Sequence, residues 1–121
     1  MLPAYSKLIG TPYSDLDCWG VAREFYRLVF GIELKRYFEG ETPSRDTTEN
    51  LIFSNRGDFL EVEKPRFGDI ILIKLLGIEC HIAIYLDATS ILHTQNKVGC
   101  MIDRFSRWEK RTSGFYRIAN D

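Results

Sequence analysis

Three side chains in this chain could do nucleophilic chemistry together. Cys18 lies in the run Asp15-Leu16-Asp17-Cys18-Trp19-Gly20, and the two histidines of the whole sequence are His81 and His93. A thiol is a weak nucleophile near neutrality unless its proton is drawn off. The unpaired amides and dipole of a helix N-terminus lower a thiol pKa, and the same amides can stabilise an oxyanion. Asp15 and Asp17 work against a thiolate, so an imidazole partner is required. Taken by itself, Cys18 is equally readable as a small buried hydrophobe.

The histidines supply such a partner. His81 lies in the strand-like run Cys80 to Leu86, sharing a face with Ala83 and Tyr85. Ala83 is small and leaves room for another element to approach His81. A turn centred on Asp87 places His93 directly opposite His81, on the same face and ~5 Å away. A turn centred one residue later makes the two diagonal neighbours, still within reach. A second imidazole beside the first can hold it in one tautomer and orientation. Cys18 as nucleophile, His81 as base and His93 as orienter is therefore the chemistry these residues suggest. The competing reading is two hydrogen-bonded core histidines.

Other residues near the thiol have two readings each. Tyr13 offers a hydroxyl to a substrate or oxyanion, or packs as a turn aromatic. Trp19 lines a cleft or covers the core. Asp15 or Asp17 can cap a helix. Trp108, among Arg107 to Arg111, reads as one anchor on a solvated face. Cys80 and Cys100 read as buried and inert.

The elements that must position these groups are visible in the pattern. Cys18, Val21, Ala22, Phe25, Leu28 and Val29 form a stripe of period 3.6, which predicts a helix over 18–30. Gly31 is its stop. Thr47 to Phe53 suggests a second helix, and Phe59 to Val62 is either a short strand or the exit from that helix. From Pro65 the pattern turns to strands: 69–75, 80–86, 91–94, 98–103 and 114–118, separated by turn residues. Short connections predict antiparallel neighbours. The expectation is one α+β domain over residues 1–121, with an N-terminal helix packed on a sheet of about five strands.

Composition excludes several classes. With 16 basic and 17 acidic residues, the net charge of -1 gives no footprint for nucleic acid. No apolar run approaches the roughly 18 residues of a membrane span. The N-terminus shows no basic segment followed by an apolar one, so no leader is expected and synthesis in the cytoplasm is the starting reading. Three widely spaced cysteines, with no Cys-x-x-Cys, disfavour both a disulfide framework and a zinc site, so no metal is expected.

Gly10-Thr-Pro-Tyr13, Asp17-Cys18-Trp19-Gly20, Phe67-Gly68-Asp69-Ile70, His81-Ile-Ala-Ile-Tyr-Leu86 and Ile91-Leu92-His93 resemble the NlpC family of papain-like cell-wall cysteine peptidases. The resemblance runs in order from about Gly10 to Ile118. Trp19 after the cysteine, and Gly114-Phe-Tyr-Arg117, look most like compact versions in phage tail-tip assembly proteins. The resemblance implies a papain-like fold, with Cys18 as nucleophile, His81 as general base and His93 as third member. Tyr13, Asp17 and Trp19 become the expected substrate contacts. The implied reaction cleaves a peptidoglycan stem peptide, commonly between D-γ-glutamate and diaminopimelate, through a thioester and without a cofactor. The implied partners are the stem peptide and proteins of a phage tail or secretion machine, which would deliver the domain to the wall. Two departures stand out: only Ser14-Asp15-Leu16 separates Tyr13 from Asp17, and Trp19 replaces a common serine. Cysteine preceding histidine disfavours the acyltransferases of related folds. Two further readings stay open, a structural tail-assembly module and an intracellular amidase or processing peptidase.

Overall fold

The structure is a computed structural model that describes residues 2–36, 55–75, 78–95 and 97–119. The second helix expected at Thr47 to Phe53 lies outside the described residues.

Helix α1 runs from Cys18 to Phe30, as the stripe predicts. Of the two candidate caps, Asp17 does the work. Its backbone is extended and its Oδ1 accepts the Gly20 N–H at 2.7 Å. The helix ends where Gly31 adopts φ 67°, donating its N–H to Arg27 O while Ile32 N–H reaches back to Tyr26 O. Val21, Ala22 and Phe25 are fully buried on the inner face. Burial of Phe25 alone contributes about 1.5–3 kcal/mol.

That face packs on an antiparallel sheet of six strands, one more than expected. The strands are β1 (Phe59–Val62), β2 (Ile70–Leu75), β3 (Ile78–Tyr85), β4 (Ser90–Gln95), β5 (Gly99–Arg104) and β6 (Thr112–Ile118). Their order is β1-β6-β2-β3-β4-β5. The meander β2 to β5 follows from its short turns. The last strand does not extend it: β6 returns to lie between β1 and β2. Residues 105–111, two short 3-10 turns, must therefore cross from one edge of the meander to the other.

The sheet is buried on both faces. Ile70, Leu72, Ile82, Ile84 and Leu92 join the α1 core, which also holds Cys18 and Trp19. Ile71, Ile73, Ala83 and Ile91 lie on the other face under Phe105 and Trp108 of the crossing segment. Two-sided burial explains why β2 reads as an unbroken apolar run rather than an alternation.

The Gly68-Asp69 pair staples this arrangement. Gly68 N–H donates to Tyr85 O, and Tyr26 hydroxyl donates to Gly68 O, tying α1 to the β2–β3 pair. Asp69, almost fully buried, accepts the Arg66 N–H and a two-pronged ion pair from Arg117 of β6 at 2.9 and 2.7 Å. One carboxylate thus joins the start of β2 to the strand that returns beside it.

Candidate active site

The thiol is placed by the helix start. Cys18 is the first residue of α1, is buried, and follows the loop of residues 11–17. That loop is tied to β5: Cys100 N–H donates to Thr11 O at 2.9 Å and Gly10 N–H to Cys100 O at 2.8 Å. The contact requires glycine at 99, where φ is 87° and an added Cβ would stand 2.7 Å from Thr11 O. At the helix start itself, Gly20 N–H is held by Asp17 Oδ1 and Val21 N–H by Asp17 O. Those two amides are already spent and are not oxyanion donors.

The histidines are placed by β3 and β4. The register pairs Ile84 with Leu92 and Tyr85 with Ile91, so the turn lies one residue later than a centre on Asp87. His81 and His93 are diagonal neighbours rather than directly opposed. Even so, His81 Nε2 lies 2.9 Å from His93 Nδ1. The rings meet edge to face at 5.2 Å between centroids.

The element that approaches over Ala83 is the crossing segment. Trp108 lies against both imidazoles, at 5.8 Å from His81 and 4.9 Å from His93. Arg111 stacks on the indole at 4.4 Å. Trp108 is therefore a lid on the histidine pair, a larger role than the surface anchor expected from its basic neighbours. Beyond His93 stands Asp103 of β5, whose Oδ2 is 3.1 Å from His93 Nε2 and 3.0 Å from Trp108 Nε1. Its Oδ1 accepts the Arg104 N–H at 2.8 Å and faces Arg107 at 3.3 Å.

Asp103 escaped the sequence reading, and Trp108 figures in it only as a surface anchor. A signal existed for Asp103. The hairpin pairs His93 with Met101, and residue 103 shares that face two places on. A carboxylate there, with a tryptophan five residues later, points at the histidine.

Burial sets the protonation of the cluster. His81 is driven down to about 3, first by loss of water and then by the proximity of His93. His93, with no exposed surface, is also lowered by burial, against the opposing pull of Asp103. For Asp103, burial works upward, but hydrogen bonds from Trp108, the Arg104 amide and His93, with the charge of Arg107, outweigh it. Its carboxyl is held below the usual range. The site at neutral pH is thus two neutral imidazoles ending on a carboxylate.

The remaining expected residues have identifiable places. Asp17 is the helix cap. Trp19 is buried, donates its indole N–H to Lys35 O at 2.9 Å and packs on Phe59, so of its two readings the structure shows the core cover. Tyr13 stands exposed on the loop before the thiol. Cys100 is buried and its thiol is pushed up to about 11 by desolvation. The side chain of Cys80 lies outside the described residues. Among the described residues, no group of three or more His, Cys, Asp or Glu side chains could hold a metal.

The NlpC/P60 family model matches residues 6–117. The chain belongs to the NlpC/P60 family. Its fold is shared with the crystal structure of the NlpC/p60 domain of the peptidoglycan hydrolase SagA, at a TM-score of 0.61 and 21% identity, covering 97% of this chain and 93% of that one. It is similarly close to an NLP/P60-family lipoprotein-like protein of Staphylococcus aureus Mu50, at a TM-score of 0.64 and 22% identity, covering 98% and 40%. These place the helix-on-sheet architecture among papain-like NlpC/P60 domains. Among curated proteins, this NlpC/P60 chain is 25% identical over 116 residues to Escherichia coli K12 "Murein DD-endopeptidase MepS/Murein LD-carboxypeptidase". The alignment covers 93% of the chain and 54% of that protein, so the chain spans about half the length of the curated relatives it matches.

Proposed function

We propose that this domain is a cysteine peptidase acting on peptidoglycan stem peptides, with Cys18 as nucleophile, His81 as general base and His93 as orienting residue. The observation that carries the reading is the buried contact between His81 Nε2 and His93 Nδ1, in a family that includes murein hydrolases. Two buried imidazoles bonded to each other, with a carboxylate behind, are expensive to maintain for packing alone. They hold an unprotonated imidazole in one orientation. Burial makes His81 a weak base in the free domain, and a developing thiolate beside it would raise its proton affinity.

In the proposed reaction His81 accepts the thiol proton as Cys18 sulfur attacks the substrate carbonyl carbon. A carbon–sulfur bond forms, the carbon–nitrogen bond breaks, and the leaving amine takes the proton from His81. Water then attacks the thioester and gives its proton to His81. The acyl group leaves as a carboxylic acid, and the proton returns to sulfur. Cys18 belongs to the helix-side core, whereas the histidines lie on the opposite sheet face. Cys18 is the first residue of α1, so the proposal has its thiol meet His81 from the helix start. Gly20 and Val21 being spent, the oxyanion falls to other donors. Tyr13, exposed on the loop that leads to Cys18, is the proposed substrate contact.

The finer parts of the proposal are a D-γ-glutamyl-diaminopimelate type of bond and delivery by a phage tail or a similar machine. The bond type is what the family resemblance implies, and the delivery reading rests on Trp19 after the cysteine and on Gly114-Phe-Tyr-Arg117. Purified peptidoglycan tests the whole. Fragments of the stem peptide should appear with the wild type and not with Cys18→Ala, and their masses name the bond. No release by either protein would reject the proposal.

A further inference from the structure

The histidine pair ends on a carboxylate, and that carboxylate decides where the protons sit. We propose that Asp103 is a positioning residue: it fixes the tautomer of His93, and through His93 that of His81, so that His81 offers an unprotonated Nδ1. The inference rests on the reading of His81 as the general base.

Each hydrogen bond leaves one choice. An ionised carboxylate can only accept. Every neighbour of Asp103 suits that state: Trp108 Nε1 and the Arg104 amide are obligatory donors, and Arg107 is a cation. Asp103 also lines a surface pocket with Ser90, Arg104, Ser106 and Arg107. His93 Nε2, 3.1 Å from Oδ2, must then carry hydrogen. A neutral imidazole has one N–H, so His93 Nδ1 is a lone pair. The 2.9 Å contact at that lone pair requires a donor, which is His81 Nε2. His81 is neutral, so its remaining nitrogen, Nδ1, is a free base. A carboxylate two hydrogen bonds away thus selects the nitrogen that can take a proton. Trp108 guards the arrangement by bonding Asp103 and covering both rings.

A carboxylate serving only to clamp residues 105–111 would also bond Trp108, but would leave the tautomers unselected. Nitrogen-15 NMR of the histidine rings in the wild-type chain, without substrate, separates the two. Both rings should show a protonated Nε2 and an unprotonated Nδ1 at pH 7.5. A proton on Nδ1 of either ring overturns the proposal. Asp103→Asn supplies the second arm. Either orientation of the amide sets its NH2 against an obligatory donor, Trp108 or the Arg104 amide, so one tautomer is no longer imposed. Mixed tautomers are expected, with kcat on a stem peptide at least about 100-fold lower and KM little changed, in line with the loss when a triad carboxylate is replaced by its amide in serine peptidases. An Asn variant with wild-type kcat and tautomers rejects the role. The ring spectra need no hydrolysis. Correct tautomers in a protein that cuts no peptidoglycan would therefore count against the peptidase reading and leave the Asp103 inference standing.

Discussion

Acid should unfold this protein through its two histidines before its carboxylates are reached. The native state holds His81 neutral down to about pH 3, whereas the unfolded chain takes up a proton near the ordinary 6.5. Below 6.5 the unfolded state therefore binds more protons, and stability falls as pH falls, through the whole window from 6.5 to about 3. At pH 5 the solution lies 1.5 units below the ordinary imidazole value of 6.5 that the unfolded chain keeps. At ~1.36 kcal/mol per unit, His81 alone removes about 2 kcal/mol relative to pH 7.5. His93 is lowered too and adds in the same direction. The groups facing the pair are Asp103, Arg107 and, over the indole, Arg111. Of these Asp103 titrates, and its lowered carboxyl adds a further loss only below the ordinary carboxylate range. The sequence has no third histidine, so a slope between pH 7 and 5 belongs chiefly to this site. Urea unfolding at pH 7.5, 6 and 5 measures it. With an m-value of about 1–3 kcal/mol/M, the midpoint should drop by about 1 M or more. His81→Asn should be less stable at pH 7.5 but show a shallower slope. A midpoint that does not move between pH 7.5 and 5, or a slope unchanged in His81→Asn, would refute the buried neutral pair.

Further outcomes follow from single contacts. Arg117→Met leaves the Asp69 carboxylate buried without its ion pair and should cost about 3 kcal/mol at pH 7.5, read by urea unfolding. Gly99→Ala puts a side chain against Thr11 O at a positive φ and should cost about 2 kcal/mol. Because Thr11 belongs to the loop leading to Cys18, hydrolysis by Gly99→Ala should fall more than its folded fraction. Asp17→Ala removes the cap of α1 and should cost about 1 kcal/mol, visible as a lower thermal midpoint.

What the sequence revealed and what it hid have physical causes. Helix α1 was legible because three signals agree there: the period-3.6 stripe, an aspartate at the cap (Asp15 or Asp17, which the structure resolves to Asp17) and Gly31 at the stop. Strands β2 to β5 were legible because they are joined by tight turns, which force neighbours. The place of β6 was not, since a strand that returns over a longer segment finds its partner through tertiary contacts, here the Asp69–Arg117 pair and the β1 edge. The histidine contact was foreseen even though the turn slipped by one residue, because diagonal side chains as large as imidazole still touch. Asp103 was missed, and Trp108 read only as a surface anchor, for the reason the place of β6 was hidden. Their meaning depends on the crossing segment, and Trp108 among four charged neighbours carries the pattern of a surface turn.

If His81 acts on the Cys18 thiol, the rate of Cys18 alkylation depends on it. Iodoacetamide labelling at pH 7, quantified on the Cys18 peptide by mass spectrometry, compares wild type with His81→Asn. Labelling should be at least 10-fold faster in the wild type. Any loosening of the fold in the variant would act in the opposite direction. Equal rates, or faster labelling without the histidine, would contradict that role of His81.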